Sequence, residues 1–174
     1  MRAAIIGGSL GGLTAALLLR DLGIQVDVYE RSPAELVQRG AGIGFLPDAA
    51  RYLVQRAGLV VCGAAQPFLQ VIYDVEVPQM AFDRVCLIGD AAFVVRPHAA
   101  AGTAKAAADA WALAGALKRH GDVVAALADW EPRQLALGQQ LLERTRRIGR
   151  RSQVDGNWVA GDPELIFGLH GPGA

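Results

Sequence analysis

Cysteine is nearly absent from this chain, with two residues in 174, Cys62 and Cys86. They share no metal-ligand spacing, which excludes a cysteine-held metal centre. Cys86 lies inside an apolar run and reads as a small buried hydrophobe. A reduced, cytoplasmic protein is the expectation. An excess of one charge is also missing: 17 Lys and Arg stand against 17 Asp and Glu. Nothing in that balance recruits nucleic acid or an anionic membrane. Long apolar runs are missing too. The most apolar region, Ala99 to Leu117, carries Lys105 and Asp109, so no membrane span is expected. Glycines split the first apolar segment and Asp21 comes soon after it, which does not fit a signal peptide.

What remains is a globular composition, 52% hydrophobic and 20% charged, long enough for one domain with a core. The organising stretch is Arg2 to Glu30, RAAIIGGSLGGLTAALLLRDLGIQVDVYE. Ala3 to Ile6 is a short apolar run suited to a buried strand. Gly7, Gly8, Gly11 and Gly12 interrupt it. Leu13, Ala16, Leu17 and Leu19 come next at helical spacing, and Gly23 suits the helix end. Val26, Val28 and Glu30 close a second strand. Strand, glycine turn, helix and strand make one βαβ unit. Gly7 serves the sharp turn and Gly12 lets the helix lie close. The small residues between them allow backbone N–H groups to approach a pyrophosphate at the positive end of the helix. Ser9 stands where the pattern has its middle glycine. Glu30 is placed to accept hydrogen bonds from ribose hydroxyls, and would repel a 2′-phosphate.

Farther on, Arg39 to Gly44 is a second glycine cluster. Pro47 to Ala57 reads as a helix, and Phe68 to Val77 as a strand stopped by Pro78. Val85 to Ile88 reads as a central parallel strand covered on both faces, ending in Gly89-Asp90 where open α/β sheets bind ligands. A helix is expected from the small-residue run Ala99 to Thr103 to about His120, packing one face through Ala108, Trp111, Leu113 and Leu117. Asp122 is a candidate cap for a further helix. Pro132 is expected to break or kink that helix, giving a separate one from Glu131 to Arg150. Its basic end, Arg144 to Arg151, has no aromatic platform nearby and reads as a solvated helix end. Asp155 to Ala174 reads as an irregular tail. His120 and His170 have no partner pattern.

Two stretches together carry a resemblance: IIGGSLGGLTAALLLRDLGIQVDVYERSP and RVCLIGDAAFVVRPHAAAGTAKAAADAWALAGAL. The second is similar to a G-D-A-A-x-x-x-x-P-x-x-x-x-G motif with a downstream D-A-x-x-L-A. In this order they resemble the FAD-dependent aromatic monooxygenases related to p-hydroxybenzoate hydroxylase, and within them most the 2,6-dihydroxypyridine hydroxylase type. The resemblance implies an α/β fold: a Rossmann-like FAD-binding domain of the GR2 type, with a mainly parallel sheet flanked by helices and with C-terminal helices. It implies that Gly7, Ser9, Leu10, Gly11 and Gly12 cradle the FAD pyrophosphate, and that Glu30, beside Arg31, holds the adenosine ribose. Gly42 and Ile43 would lie near the flavin. Asp90 would hydrogen-bond the ribityl chain or the phosphates. Pro97, Ala101, Gly102 and Thr103 would line the isoalloxazine, with a helix N-terminus near its pyrimidine carbonyl. Phe93 stands where many relatives have histidine, and Lys105 where many have asparagine. His98 is a candidate acid or base, with packing as the other role. No metal is implied.

Family members carry a large substrate-binding region between the parts matched here, and LVVCGAAQ stands in its place. The expectation is a chain with its substrate domain largely deleted: residues 1–150 as the FAD-binding domain and 151–174 as a tail. The implied activity uses NAD(P)H and dioxygen to hydroxylate a small aromatic or N-heteroaromatic substrate, impaired in this short form. Self-association through an uncovered sheet face is expected. A non-catalytic FAD-binding remnant, an NAD-dependent Rossmann oxidoreductase and a ligand-free structural protein are the alternatives.

Overall fold

The structure is a computed structural model that describes residues 1–32, 73–157, 159 and 161–171. The second glycine cluster, the helix expected at 47–57, and the strand expected at 68–77 as far as Ile72 lie outside the described residues.

The opening unit forms as its pattern dictates. Strand β1 (Arg2–Ile6), helix α1 (Leu10–Asp21) and strand β2 (Gln25–Tyr29) come in order, and β1 pairs with β2 in parallel, Ala4 opposite Asp27. Gly23 ends α1 at φ +75, where its N–H donates to Arg20 O and that of Ile24 to Leu19 O. A left-handed residue at this place satisfies the last helical carbonyls, and glycine adopts it without a Cβ penalty. The expectation of a buried β1 is met only in part. Ala3 and Ile5 are half-buried, Ala4 between them is exposed, and Ile6 is 83% exposed.

Three two-stranded sheets are present among the described residues, and only β1–β2 is parallel. Strand β3 (Val75–Glu76) pairs antiparallel with β6 (Phe93–Val94). The strand expected from Val85 to Ile88 is shorter and differently paired. β4 (Ala81–Phe82) and β5 (Val85–Cys86) form an antiparallel hairpin, and Val85 is 62% exposed. The local chemistry explains this. Asp83 adopts φ +53, a left-handed conformation that short polar side chains tolerate, so the chain reverses between Phe82 and Val85. The hairpin is then anchored by Glu131, whose Oε1 accepts from the N–H groups of Met80 and Ala81 at 2.6 and 2.7 Å.

Helix α2 (Gly102–Arg119) is the axis of the molecule. The expected single apolar face was too narrow. Ala110 and Ala114 meet Ala15 and Leu18 of α1, Leu113 and Ala116 meet Phe93, Leu127 and Trp130, and Ala104 joins Leu141, Ile148 and Leu169. Alanines on three sides let neighbouring elements approach closely, which a leucine-rich helix would prevent.

Helix α3 (Val123–Gly149) begins at Asp122, whose carboxylate accepts from Ala125 N–H as expected of a cap. Pro132 does not break it, contrary to expectation: the helix runs through the proline. An interior proline costs about 3 kcal/mol. Burial of Leu127 and Trp130 before it, and of Gln134, Leu141 and Leu142 after it, offsets that cost. The basic end is not simply solvated either. Arg144 donates to the carbonyls of Ile166 and Gly168, Arg146 to Asp74, and Arg151 to Asp162 and Glu164. Arg144 and Arg151 thus hold the tail at the end of the helix, and Leu169 of the tail is buried in one cluster with Leu141 and Ile148.

Candidate functional site: two glycine corners on one alanine

The first corner is built by glycines that nothing else replaces. A Cβ on Gly12 would stand 2.1 Å from Gly7 O, and Gly7 itself sits at φ +109. The helix therefore starts close against the turn, as its spacing implied. Ser9 is the residue before α1 and makes no side-chain cap, and no acidic residue lies in the first turn. Among the described residues, the N–H groups that this helix start leaves unpaired are thus not capped by Ser9 or by an acidic first turn. Glu30 directly follows β2 and turns back over this corner. Its Oε2 accepts from Gly8 N–H at 2.8 Å and its Oε1 from Ser32 N–H at 2.9 Å. The bonds from Ser32 and then Gly8 hold its carboxyl below the usual range. Arg31 is exposed beside it.

The second corner is Gly89–Asp90. Gly89 is buried at φ +57, and Asp90 beside it keeps part of its surface exposed. Packing around Asp90 lifts its carboxyl, with Lys105 opposing. From here the chain runs through Phe93 and a short turn at Pro97–Ala99 into α2. Ala100 is left-handed at φ +50, Ala101 is buried, and Gly102 and Thr103 are half-buried at the helix start. Like α1, α2 starts without a side-chain cap or an acidic first turn.

Ala106 joins the corners. A Cβ on Gly11 would stand 3.1 Å from Ala106 Cβ, and one on Gly89 would stand 3.0 Å from the same atom. Gly11 and Gly89 are far apart in sequence, yet both lie against one methyl group, one turn into α2. Gly7, Ser9, Leu10, Gly11, Gly12, Glu30, Asp90, Gly102 and Thr103 therefore sit on elements that converge on that turn. Gly42 and Ile43 lie outside the described residues. His98 is packed against α3: a Cβ on Gly149 would meet its Cε1 at 2.7 Å. Both its ring nitrogens are buried without a hydrogen-bond partner among the described residues. His120 does have a partner, the Asp129 carboxylate at 3.3 Å.

Sequence reasoning missed the support beneath the second corner. Asp109, fully buried, accepts Gly89 N–H at 2.9 Å and Lys105 Nζ at 2.7 Å on one oxygen. Lys105 is 1% exposed, and its ammonium lies 5.0 Å from the centre of the Phe93 ring. Trp130 Nε1 donates to the Asp109 backbone carbonyl at 3.0 Å. Burial pushes the Asp109 carboxyl up, and Lys105 with Gly89 N–H opposes it. The i,i+4 spacing of Lys105 and Asp109 was the available signal. Cys86, close by, is pushed up to about 11 by burial and by Asp109, so it stays a thiol. Among the described residues no group of side chains could hold a metal, and no helix is long and apolar enough to cross a membrane.

Parts of this chain are similar to known proteins. Residues 73–145 match the family model described as FAD binding domain. A 2,6-dihydroxypyridine 3-monooxygenase of Paenarthrobacter nicotinovorans is 43% identical over 110 residues, 63% of this chain and 28% of that protein. A 3-amino-4-hydroxybenzoate 2-monooxygenase of Streptomyces cremeus is 47% identical over 53 residues, 30% of this chain and 13% of that protein. Residue for residue, the chain spans less than a third of either relative. The solved structure of 2,6-dihydroxypyridine-3-hydroxylase from Arthrobacter nicotinovorans superposes with a TM-score of 0.84 at 21% identity, over 96% of each chain. At that identity the superposition speaks for the fold. In sequence, then, part of this chain is similar to a 2,6-dihydroxypyridine 3-monooxygenase, and its residues 73–145 match the FAD binding domain model.

Proposed function

We propose that this chain binds FAD in an extended groove running between the two glycine corners. The observation that carries the reading is the shared contact of Gly11 and Gly89 with Ala106. An extended dinucleotide needs two anchoring points on one surface, and a common wedge brings them together. The residues present fit the cofactor. Gly12 leaves no room for a side chain, and two uncapped helix starts offer backbone N–H groups. In this reading Gly7, Ser9, Leu10, Gly11 and Gly12 hold the pyrophosphate. Glu30 accepts from the adenosine ribose, already held ionised by Ser32 and Gly8. Asp90 accepts from the ribityl hydroxyls, and Pro97, Ala101, Gly102 and Thr103 border the ring system. Residues 1–150 form the cofactor domain and 151–174 a tail bound to it. The finer topology of a mainly parallel sheet and a deleted substrate domain belongs to this proposal too.

Bound FAD, reduced by NAD(P)H, supplies the redox chemistry for inserting one atom of dioxygen into a small aromatic or N-heteroaromatic ring. This chain's own residues bind and orient the cofactor, and the start of α2 sets a positive dipole end beside it. His98, wedged on Gly149, serves packing in this scheme. The small share of each relative that the chain spans favours a form whose substrate walls are incomplete. Oxidation of NAD(P)H should then yield mostly hydrogen peroxide rather than hydroxylated product.

The test is a flavin spectrum of the purified chain, with the heat-released cofactor identified as FAD. Saturable FAD binding is expected. A colourless chain that fails to bind added FAD, or that binds NAD instead, overturns the proposal. Stoichiometric hydroxylation of an aromatic substrate overturns the impaired-coupling part alone.

A further inference from the structure

The buried pair under the second corner has no part in the binding roles given above, yet it touches the corner directly. We infer that Lys105 and Asp109 are positioning residues for the Gly89–Asp90 corner: the Asp109 carboxylate fixes the Gly89 N–H, and the Lys105 ammonium keeps that carboxylate in place. The inference rests on the proposed FAD site, and deepens it by naming what holds one of its anchors.

The geometry carries it. Gly89 is left-handed and buried, and its N–H donates to Asp109 Oδ2 at 2.9 Å across 20 residues of sequence. The same oxygen accepts from Lys105 Nζ at 2.7 Å. The other oxygen, Oδ1, is buried with no partner among the described residues, so the orientation of the carboxylate depends on the two donors alone. Lys105 is confined between this carboxylate and the Phe93 ring, which is itself pressed on Gly138. Trp130 pins the Asp109 backbone. One helical turn thus supplies the wedge at Ala106 and the tether at Asp109 to the same glycine. A pair serving stability alone has no need of the Gly89 bond, because a buried ion pair is often replaceable by apolar residues of similar volume.

The experiment compares two double variants that both remove the buried charges. Lys105→Met with Asp109→Asn keeps an acceptor for Gly89. Lys105→Met with Asp109→Leu does not. Two readouts are taken on the full chain: FAD affinity by fluorescence titration, and hydrogen exchange of the Gly89 amide without cofactor. The expected result is FAD affinity within about threefold of the parent for the asparagine variant, and a loss of about tenfold or more for the leucine variant. The Gly89 amide should be protected in the parent and the asparagine variant, and exposed to exchange in the leucine variant. Equal FAD affinity in both variants overturns the inference. So does a Gly89 amide that exchanges freely in the parent, which decides the matter even if the leucine variant fails to fold. A parent that binds no FAD while Gly89 stays protected overturns the site proposal and leaves the tether standing.

Discussion

At the residue scale the account rests on close approaches that a single methyl group would disturb. Gly12→Ala places a carbon where Gly7 O already stands, 2.1 Å away. Backbone on backbone cannot yield as a flexible side chain does. A loss of about 1–3 kcal/mol in stability is expected, measured by denaturant unfolding. FAD binding should be lost with it, and an unchanged unfolding midpoint would contradict the packing described. Asp74 offers a test by pH. Burial would raise its carboxyl, but the hydrogen bonds of Arg146 and then Arg96 prevail and hold it below the ordinary value of 3.8. A carboxyl depressed in the folded state stabilises above its unfolded pKa, and that contribution fades as pH falls through the folded value. Asp74→Asn should therefore cost on the order of 1 kcal/mol near neutrality, because both arginines are partly exposed. The gap between parent and variant should close in acid below 3.8. A gap that stays constant with pH would show that the ion pairs contribute nothing. The close start of α1 at Gly12 was legible in sequence because its spacing is local. Ala106 and Asp109 were not, since nothing in the chain says which distant residue will meet a given alanine or carboxylate.

At the element scale, the first βαβ unit and the start of α3 came from pattern and cap alone. The departures came where tertiary packing overrode local preference. Pro132 lacks an N–H to donate, yet α3 continues past it because buried residues flank it on both sides. Pro132→Ala should then raise stability by about 1–3 kcal/mol, read as a higher thermal midpoint. A lower midpoint would mean that the proline sets a bend the core requires. The hairpin β4–β5 was unreadable for a related reason. Val85 to Ile88 is apolar enough for a central strand, but Glu131, far along the chain, captures the N–H groups of Met80 and Ala81. Glu131→Ala should free that hairpin and speed amide exchange at Met80 and Ala81. Unchanged exchange would assign the hairpin to its turn alone.

At the scale of the whole molecule, the described surface carries a set of exposed apolar side chains on its strands, among them Ile6, Val28, Tyr29, Phe82 and Val85. Such surface drives association. Sizing at rising concentration should show self-association, weakened by Ile6→Ser and Val85→Ser together. A single concentration-independent monomer peak would contradict it. The pair of motifs led to the expectation that the two corners fold together, and Gly11 and Gly89 do lie against the same Ala106 methyl. The most direct test of the central claim is a titration of the purified full chain with FAD, monitored by flavin fluorescence, alongside Glu30→Ala and Asp90→Ala, one change at each end of the proposed groove. The account predicts saturable binding by the parent and weakening by about tenfold or more in each variant. No saturable binding by the parent, or weakening by only one of the two changes, would contradict a single cofactor spanning both corners.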